Sequence, residues 1–196
     1  MIIKFSPVRS DLGLFVTKSG DTLIVNDVSL NLSRLADGST LPIEAISNSF
    51  IVAPVERING ELIIALMLPH AADAPESARF PIDIHDPADG PVHLPGLELG
   101  EPTEVVAGVI DWSQEITAAA KAQEKSEQYL ALAVAEIASR RAAADNAIAP
   151  LQDAVDLGEA TDAASLTAWK RYRVELSRVP AQAGYPDEID WPAPPA

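Results

Sequence analysis

The sequence changes character at Ser113, and this change constrains the fold more than any other feature. From Ser113 to Ala149 there is neither proline nor glycine, and the good helix formers Ala, Glu, Lys, Gln and Leu dominate. At 1.5 Å per residue, an uninterrupted helix of this length would extend about 50 Å. Asp111 or Ser113 is the predicted N-cap. Residues 113–149 are therefore predicted to form a long connecting helix.

Residues 1–112 are predicted to form an antiparallel β domain, either a sandwich or a barrel. Short apolar runs are separated by turn signals at regular spacing. Asn59-Gly60 predicts a type I′ hairpin, because both residues tolerate positive φ, and Ser19-Gly20-Asp21 marks a second turn. The predicted strands are Gly13–Lys18, Thr22–Val25, Phe50–Arg57, Glu61–Leu68 and Val105–Asp111.

The segment 69–103 has a different composition, with prolines at positions 69, 75, 81, 87, 91, 95 and 102. Proline cannot donate to a central ladder, so this segment is expected to be edge strand, turn and extended chain. Apolar residues such as Val92 and Leu94 alternate with polar ones in places. We therefore expect the segment to wrap the β domain and not to form a disordered linker.

A heptad-like seam runs along the second part of the predicted helix. Its members recur at spacings of four and three, with Arg141 as the one misfit: Leu130, Val134, Ile137, Arg141, Ala144, Ile148, Leu151 and Val155. The seam could fold back on a further helix predicted from about Asp162 to Ser177, or it could pair between subunits. The hairpin is favoured for the C-terminal half of the seam, with Gly158 as the cap and residues 158–161 as the loop. Self-association through residues 113–155 stays open, because the Ala-rich part before Leu130 would need a partner to be stable.

Pro150 either kinks the long helix or begins a second one at its first position. Residues 150–196 are therefore predicted as a separate C-terminal helical module. After Pro180, the tail has four prolines and two aromatic residues between Ala181 and Ala196, so it is predicted to be an extended segment held by Tyr185 and Trp191.

Composition excludes several classes of protein. The net charge of −15 argues against a nucleic-acid partner, because Lys and Arg supply most of the affinity for phosphates. The chain has no cysteine, which excludes a disulfide scaffold. No apolar run approaches the roughly 20 residues that span a bilayer, and the first residues lack the pattern of a signal peptide. A soluble protein that acts in the cytoplasm, without a membrane partner, is expected.

No pattern of residues predicts catalysis or a cofactor. A Gly-x-Ser-x-Gly elbow and a phosphate-binding Gly-rich loop are both missing from the sequence. His70, His85 and His93, with several nearby aspartates, could form a metal site, but their spacing is not that of a ligand motif. Turn formation by His85-Asp86-Pro87 and Asp89-Gly90-Pro91 is the favoured interpretation. We therefore predict that the protein is not an enzyme and binds no metal.

The predicted helix after residue 162 carries the residues most relevant to binding. Trp169, Tyr172 and Leu176 are spaced three and four apart and share one face, so they are predicted to pack on the preceding helix. Lys170, Arg171 and Arg173 form the main basic cluster of the chain. They are interpreted either as an electrostatic clamp on an acidic partner or as a solvated face.

Three blocks in this region resemble the C-terminal module of tail-fibre assembly proteins of tailed bacteriophages. They are Ile148-Ala-Pro-Leu-Gln-Asp-Ala-Val-Asp-Leu157, Leu166-Thr-Ala-Trp-Lys-Arg-Tyr-Arg-Val-Glu-Leu176 and Gly184-Tyr-Pro-Asp-Glu-Ile-Asp-Trp-Pro192. Their order, spacing and identities match over roughly residues 145–194. Residues 5–95 also resemble a small β module of phage tail-fibre regions, through Ser6-Pro-Val-Arg9, Gly20-Asp-Thr-Leu-Ile-Val-Asn26 and Leu68-Pro-His70.

The resemblance implies a chaperone that binds the distal tip of a trimeric receptor-binding fibre and assists its folding or trimerisation. It implies action in the cytoplasm of the bacterial host, with retention on the mature fibre left open. Lys170, Arg171, Arg173, Tyr185 and Trp191 are the candidate partner-binding residues. The alternative is a structural tip subunit, or adhesin, that binds cell-surface carbohydrate. Scarce aromatic residues, 5% of the chain, argue against it, because sugar sites usually offer stacking rings.

Overall fold

The computed structural model describes residues 1–100, 104–158 and 163–195. The chain divides into two compact units, Met1–Lys121 and Ala122–Ala196, which are called the β unit and the helical unit below. The predicted α+β class, with β structure first and helices after it, is confirmed. The predicted division of the chain into residues 1–112, 113–149 and 150–196 stays a prediction.

In the described residues of the β unit, the strands form two five-stranded sheets. The first has the order β5-β6-β7-β1-β8 and the second β10-β4-β3-β2-β9, and their described strands do not close into a barrel. The strands are β1 (Ile2–Arg9), β2 (Val16–Ser19), β3 (Thr22–Val25), β4 (Val28–Asn31), β5 (Thr40–Leu41), β6 (Val55–Ile58), β7 (Glu61–His70), β8 (Ile84–His85), β9 (Gly90–Pro91) and β10 (Val106–Ala107); a short helix, α1, spans Glu76–Arg79.

Local turn chemistry builds the hairpins. Asn59 and Gly60 have φ of 53° and 79° and join β6 to β7, with Ile58 opposite Glu61. This confirms the predicted type I′ hairpin. Gly20, with φ of 57°, lies at the tip of the β2–β3 hairpin.

The strand pairing departs from the antiparallel prediction at the centre of the first sheet. β1 pairs with β7 in parallel along all of its length, from Ile2 opposite Ile63 to Arg9 opposite His70. β10 is also parallel to β4. The sheets are therefore mixed, and β1 and β4 were not among the predicted strands. Pro7 in β1 is compatible with a strand that β8 covers only at Ile2 and Ile3.

One apolar core lies between the two sheets. Along β7 the side chains of Leu62, Ile64, Leu66 and Leu68 are at most 2% exposed, which is the period-two pattern of a strand with one buried face. Residues of the second sheet, including Leu23 and others in β3 and β4, belong to the same cluster.

The proline-rich segment lies against this core where the structure describes it. β8 pairs with β1, β9 pairs with β2, and both Val92 and Leu94 are buried in the core. The structure of residues 69–100 therefore agrees with the prediction that this segment wraps the β domain. Residues 101–103 of the predicted segment lie outside the described residues.

The long helix, α2, spans Ala118–Asp156 and begins later than predicted. Asp111 does act as a cap, but for a 3-10 turn at Trp112–Gln114, and Ser113 is not the N-cap of α2. Ile116 then pairs with Thr40, and the Thr117 hydroxyl accepts the Ala120 amide at 3.1 Å, the bond typical of an N-cap.

Pro150 lies inside α2, so the helix crosses the predicted boundary at 149/150. Gly158 follows the end of α2 with φ of 92°, as expected for a C-terminal glycine. The last helix, α3, spans Ala163–Arg178. The predicted loop residues 159–161 and the predicted start at Asp162 lie outside the described residues.

Candidate functional site

The helical unit has a small core between α2 and α3. Ala144 of α2 packs with Tyr172 and Leu176 of α3, and all three are buried. Trp169 packs against them, with its ring edge-on to Tyr172 at 5.8 Å between centroids. The structure therefore places Trp169, Tyr172 and Leu176 on one packed face, as expected from their spacing.

The seam along α2 is shifted by one residue in its middle. Arg141 is exposed, whereas Arg140 lies on the packed side with its guanidinium over the ring of Trp191, 4.5 Å from the centroid. Arg140 also donates to Glu136 at 2.7 Å. This bond, with a further contribution from Tyr172, raises the pKa of Arg140 above its usual value against the opposing effect of burial. The guanidinium is therefore held over the indole as a cation, which is the geometry of a cation–π contact.

The tail is a closed turn followed by an extended end, and the predicted continuous extended tail is wrong for its first part. Residues 183–187 form turns. The Gln182 side chain closes the loop by donating to the Asp190 carbonyl at 2.7 Å and accepting the Asp190 amide at 2.9 Å. The Glu188 amide donates to the Gly184 carbonyl at 2.6 Å.

This loop delivers Trp191 to the helical core. Trp191 is half-buried against the cluster of Ala144, Tyr172 and Leu176. Tyr185 and Ile189 are also partly buried, while Asp187 is exposed. The side chain of Trp191 therefore rests on the protein itself, and its predicted role in binding a partner stays a prediction, as does that of Tyr185.

The basic cluster predicted as a clamp is divided by the structure. Lys170 donates to Gln152 of α2 at 2.6 Å, and Arg173 pairs with Asp145 of α2 at 2.7 Å. Both pairs are solvent-exposed and bridge the two helices, where each contributes little to stability. Arg171 makes no ion pair within the described part of the chain.

The face of α3 turned away from α2 forms an exposed stripe. Thr167, Arg171, Val174 and Arg178 follow one another at spacings of four, three and four, which places them on one side of a helix. All four are exposed, and Val174 has 48% of its surface accessible. Like Arg171, Arg178 has no ion-pair partner among residues that the structure describes. Arg178 was not among the predicted binding residues, although its spacing of seven from Arg171 was the available signal.

Shallow grooves border this stripe, which is called the α3 stripe below. One is lined by Lys170, Arg171, Val174 and Glu175, and another continues past Arg178 to Gln182 and Pro192 of the tail. The stripe itself combines the two cations Arg171 and Arg178 with the apolar Val174, while Lys170, Glu175 and Asp190 line the bordering grooves. Such a surface suits a partner that presents carboxylates beside an apolar residue.

Two of the aspartates considered as metal ligands, Asp86 and Asp89, have structural roles in the β unit. Asp89 accepts from the Lys18 ammonium at 2.6 Å and the Gly20 amide at 3.0 Å, and these bonds lower the pKa of Asp89. Asp86 has φ of 46°, as expected in a turn. Within residues 1–100, 104–158 and 163–195, no cluster of three or more His, Asp or Glu is arranged to hold a metal ion. None of the helices in these ranges is both long and apolar enough to cross a membrane.

Comparison with known proteins finds a phage family that matches the C-terminal part of the chain. Residues 103–196 match the family described as Caudovirales tail fibre assembly protein, lambda gpK. The tail fibre assembly protein of Escherichia phage lambda is 56% identical over 50 residues, 24% of this chain and 25% of that protein. A probable tail fibre assembly protein of Shigella phage SfV is 52% identical over 56 residues, 28% and 30% of the two chains. Protein TfaD of Escherichia coli K12 is 56% identical over 50 residues, 24% of this chain and 26% of that protein.

The matches are local. The aligned part of this chain spans less than a third of the length of these relatives. No solved structure is significantly similar to the chain. The family resemblance carried by the three C-terminal blocks is nevertheless confirmed: residues 103–196, which include the whole helical unit, match the Caudovirales tail fibre assembly protein family.

Proposed function

We propose that this protein is a tail-fibre assembly chaperone that binds the distal, C-terminal part of a trimeric phage fibre and assists its folding and trimerisation. The observation that carries the proposal is the match of residues 103–196 to tail fibre assembly proteins. The protein acts in the cytoplasm of the bacterial host while fibres are being made. The role involves no catalytic step and no cofactor.

The α3 stripe is the proposed contact with the fibre. Val174 supplies exposed apolar surface, and burying it against the fibre tip releases water and favours the complex. Arg171 and Arg178 flank Val174 and have no partners within the described residues that would have to be displaced. They therefore select an acidic surface and speed the encounter.

A nascent fibre chain exposes apolar surface and unpaired strand edges until its trimer closes, and such species aggregate. A chaperone that covers this surface stabilises the unassembled chain by mass action, without any turnover. Closure of the trimer then buries the same surface. Whether the chaperone leaves at that point or stays on the fibre depends on how much of the α3 stripe's contact survives closure.

Co-expression tests the proposal. The protein is produced together with the C-terminal region of the fibre encoded beside it, and soluble fibre trimer is measured by gel filtration. We expect trimer to depend on the protein, and Arg171→Glu with Arg178→Glu to reduce its yield severalfold without changing the helical unit's stability.

The matched control is Lys4→Glu with Arg9→Glu. These substitutions make the same change in net charge at exposed positions of β1, so they should leave the trimer yield intact. Trimer that forms equally well without the protein contradicts the chaperone role. If the protein alone instead binds host cells or their surface polysaccharide and is abundant in purified particles, it is the adhesin of the alternative hypothesis.

A further inference from the structure

The N-terminal half of α2 in the helical unit has an exposed apolar face that α3 does not cover. Leu130 and Val134 lie one turn apart with 44% and 53% of their surfaces accessible. Ala131 and Ala138 flank them and are also exposed. Small residues next to branched ones allow a second helix to approach closely. This face, from Glu127 to Arg141, is called the α2 stripe.

The two ends of the α2 stripe carry opposite charges at equal distances from its centre. Glu127 lies seven residues before Val134 and Arg141 lies seven residues after it. Seven residues are about two turns, so all three side chains lie on the same side of the helix. Arg141 makes no ion pair within the part of the chain that the structure describes, and Glu127 accepts only an exposed hydrogen bond from Gln123, one turn away.

We propose that two copies of this chain pair antiparallel through the α2 stripe, with the two-fold axis at Val134. In this register Val134 meets Val134 of the second copy, and Leu130 meets its Ala138. Glu127 lies opposite Arg141 of the second copy, and the symmetry repeats this ion pair at the other end. A parallel pair would instead bring glutamate against glutamate and arginine against arginine. The charges therefore match the stripe to its own antiparallel copy.

Self-association through residues 113–155 was left open by the sequence, and the proposed dimer assigns it to named residues and a register. The dimer does not depend on fibre binding. The contact covers about four turns of helix, roughly 22 Å, so a weak and concentration-dependent dimer is expected. The Arg140 contact with Trp191 lies on the packed side of α2 and remains in place. The dimer would therefore form without opening the tail.

Exchange of charges tests the register. Sedimentation equilibrium over a wide range of protein concentration measures the dissociation constant of the wild-type dimer. Glu127→Arg alone, or Arg141→Glu alone, sets like charges opposite each other twice and should raise this constant at least tenfold. An equimolar mixture of these two variants should form a heterodimer, because both of its ion pairs are then complementary. The double variant Glu127→Arg with Arg141→Glu should dimerise like the wild type.

Two further substitutions test the centre of the stripe. Val134→Glu should give a monomer, because two carboxylates then meet at the two-fold axis. Leu132→Glu is the matched control: Leu132 is 67% exposed on the same helix but lies about 200° around it from Val134, so the dimer should persist. Circular dichroism verifies that each variant is folded.

Several outcomes would overturn the proposal. They are a wild-type protein that stays monomeric at every concentration, a mixture of the two single variants that stays monomeric, and a dimer that ignores Val134→Glu. Loss of fibre binding in Val134→Glu, with no change in the mass of the free protein, would assign the stripe to the fibre instead. The fibre experiment with Arg171 and Arg178 has a separate readout, so either proposal can fail without the other.

Discussion

Replacement of Trp191 by alanine asks whether the tail stabilises the helical unit before any partner is present. The indole packs on the cluster of Ala144, Tyr172 and Leu176 and lies under Arg140. Truncation of a fully buried Trp costs about 3–5 kcal/mol. Because Trp191 is only half-buried, we expect about half of that, near 2 kcal/mol, including ~0.5–1 kcal/mol from the cation–π contact.

Thermal and urea unfolding followed by far-UV circular dichroism measure this loss, since α2 and α3 supply most of the helical signal. For a unit of this size, a loss of 2 kcal/mol lowers the melting temperature by roughly 8–16 °C. Asp187→Ala, an exposed change in the same loop, should have almost no effect. Arg140→Gln, alone and combined with Trp191→Ala, completes a double-mutant cycle that isolates the cation–π coupling.

An unchanged melting temperature in Trp191→Ala would refute the reasoning that the tail is docked on the helices. If the same variant had also lost fibre binding, the tail would be a recognition peptide that orders on the partner. A drop in stability with a coupling energy near zero would keep the docking and reject the role of Arg140.

Two more predictions concern the β unit, and urea unfolding checks both. Gly38→Ala should cost about 2–4 kcal/mol, because ~1 kcal/mol of left-handed backbone at a φ of 76° adds to ~1–3 kcal/mol for a new Cβ that lies 2.8 Å from the Cβ of Ala118. Gly20→Ala has a φ of 57° and nothing within 4 Å of the new Cβ, so it should cost only the ~1 kcal/mol of left-handed backbone, and equal losses would rule out the clash. Arg57→Ala should cost about 2–4 kcal/mol, because the guanidinium donates to the carbonyl of Leu35 at 2.7 Å and to Asp21 at 2.8 Å. Arg57→Lys should recover less than half of that loss, since lysine cannot reproduce a forked set of donors, and full recovery would mean that charge alone matters.

Turns were predictable because their determinants are local. Asn59-Gly60 sets its own backbone conformation, and the strands on either side follow from it. The turn at Asn26, with φ of 54°, joins β3 to β4. This turn was not predicted, because Asn-Asp is a weaker hairpin signal than Asn-Gly. The parallel pairing of β1 with β7 had no local signal at all. Ile2 meets Ile63 across 61 positions of sequence, and only the shared apolar core brings them together.

The start of α2 shows how tertiary contacts override a local cap. Asp111 accepts the Ser113 amide at 3.0 Å, as a cap should, yet the turn it begins ends at Gln114. Ile116 instead exchanges backbone hydrogen bonds with Thr40, at 2.9 and 2.8 Å, which fixes it in extended conformation. The helix can begin only after this bridge, so Thr117 becomes the cap. No residue near position 116 in the sequence predicts the backbone pairing of Ile116 with Thr40.

The position of the arginines on α2 follows from which side of the helix packs. The buried or partly buried residues on this side recur at spacings of four, three, four and four, and they are Ala133, Ile137, Arg140, Ala144 and Ile148. Arg141 lies about 100° around the helix from Arg140, on the same side as the exposed Leu130 and Val134. Arg140 thus turns toward Trp191, and Arg141, the misfit in the predicted seam, turns to solvent where the second copy would meet it.

The net charge of −15 bears on how both proposed contacts can be distinguished in solution. Repulsion between copies of an acidic chain opposes aggregation through exposed apolar residues such as Val134 and Val174. Added salt screens that repulsion, which favours the dimer, but also weakens the Glu127–Arg141 pairs, which opposes it. A salt titration of the dimer therefore has no predictable sign, whereas the charge exchange does. An acidic fibre surface would be attracted by Arg171 and Arg178 but repelled by the negative net charge of the whole chain. The charge reversals at Lys4 and Arg9 change the net charge by the same amount as those at Arg171 and Arg178. They are therefore needed to separate a specific contact from an effect of net charge.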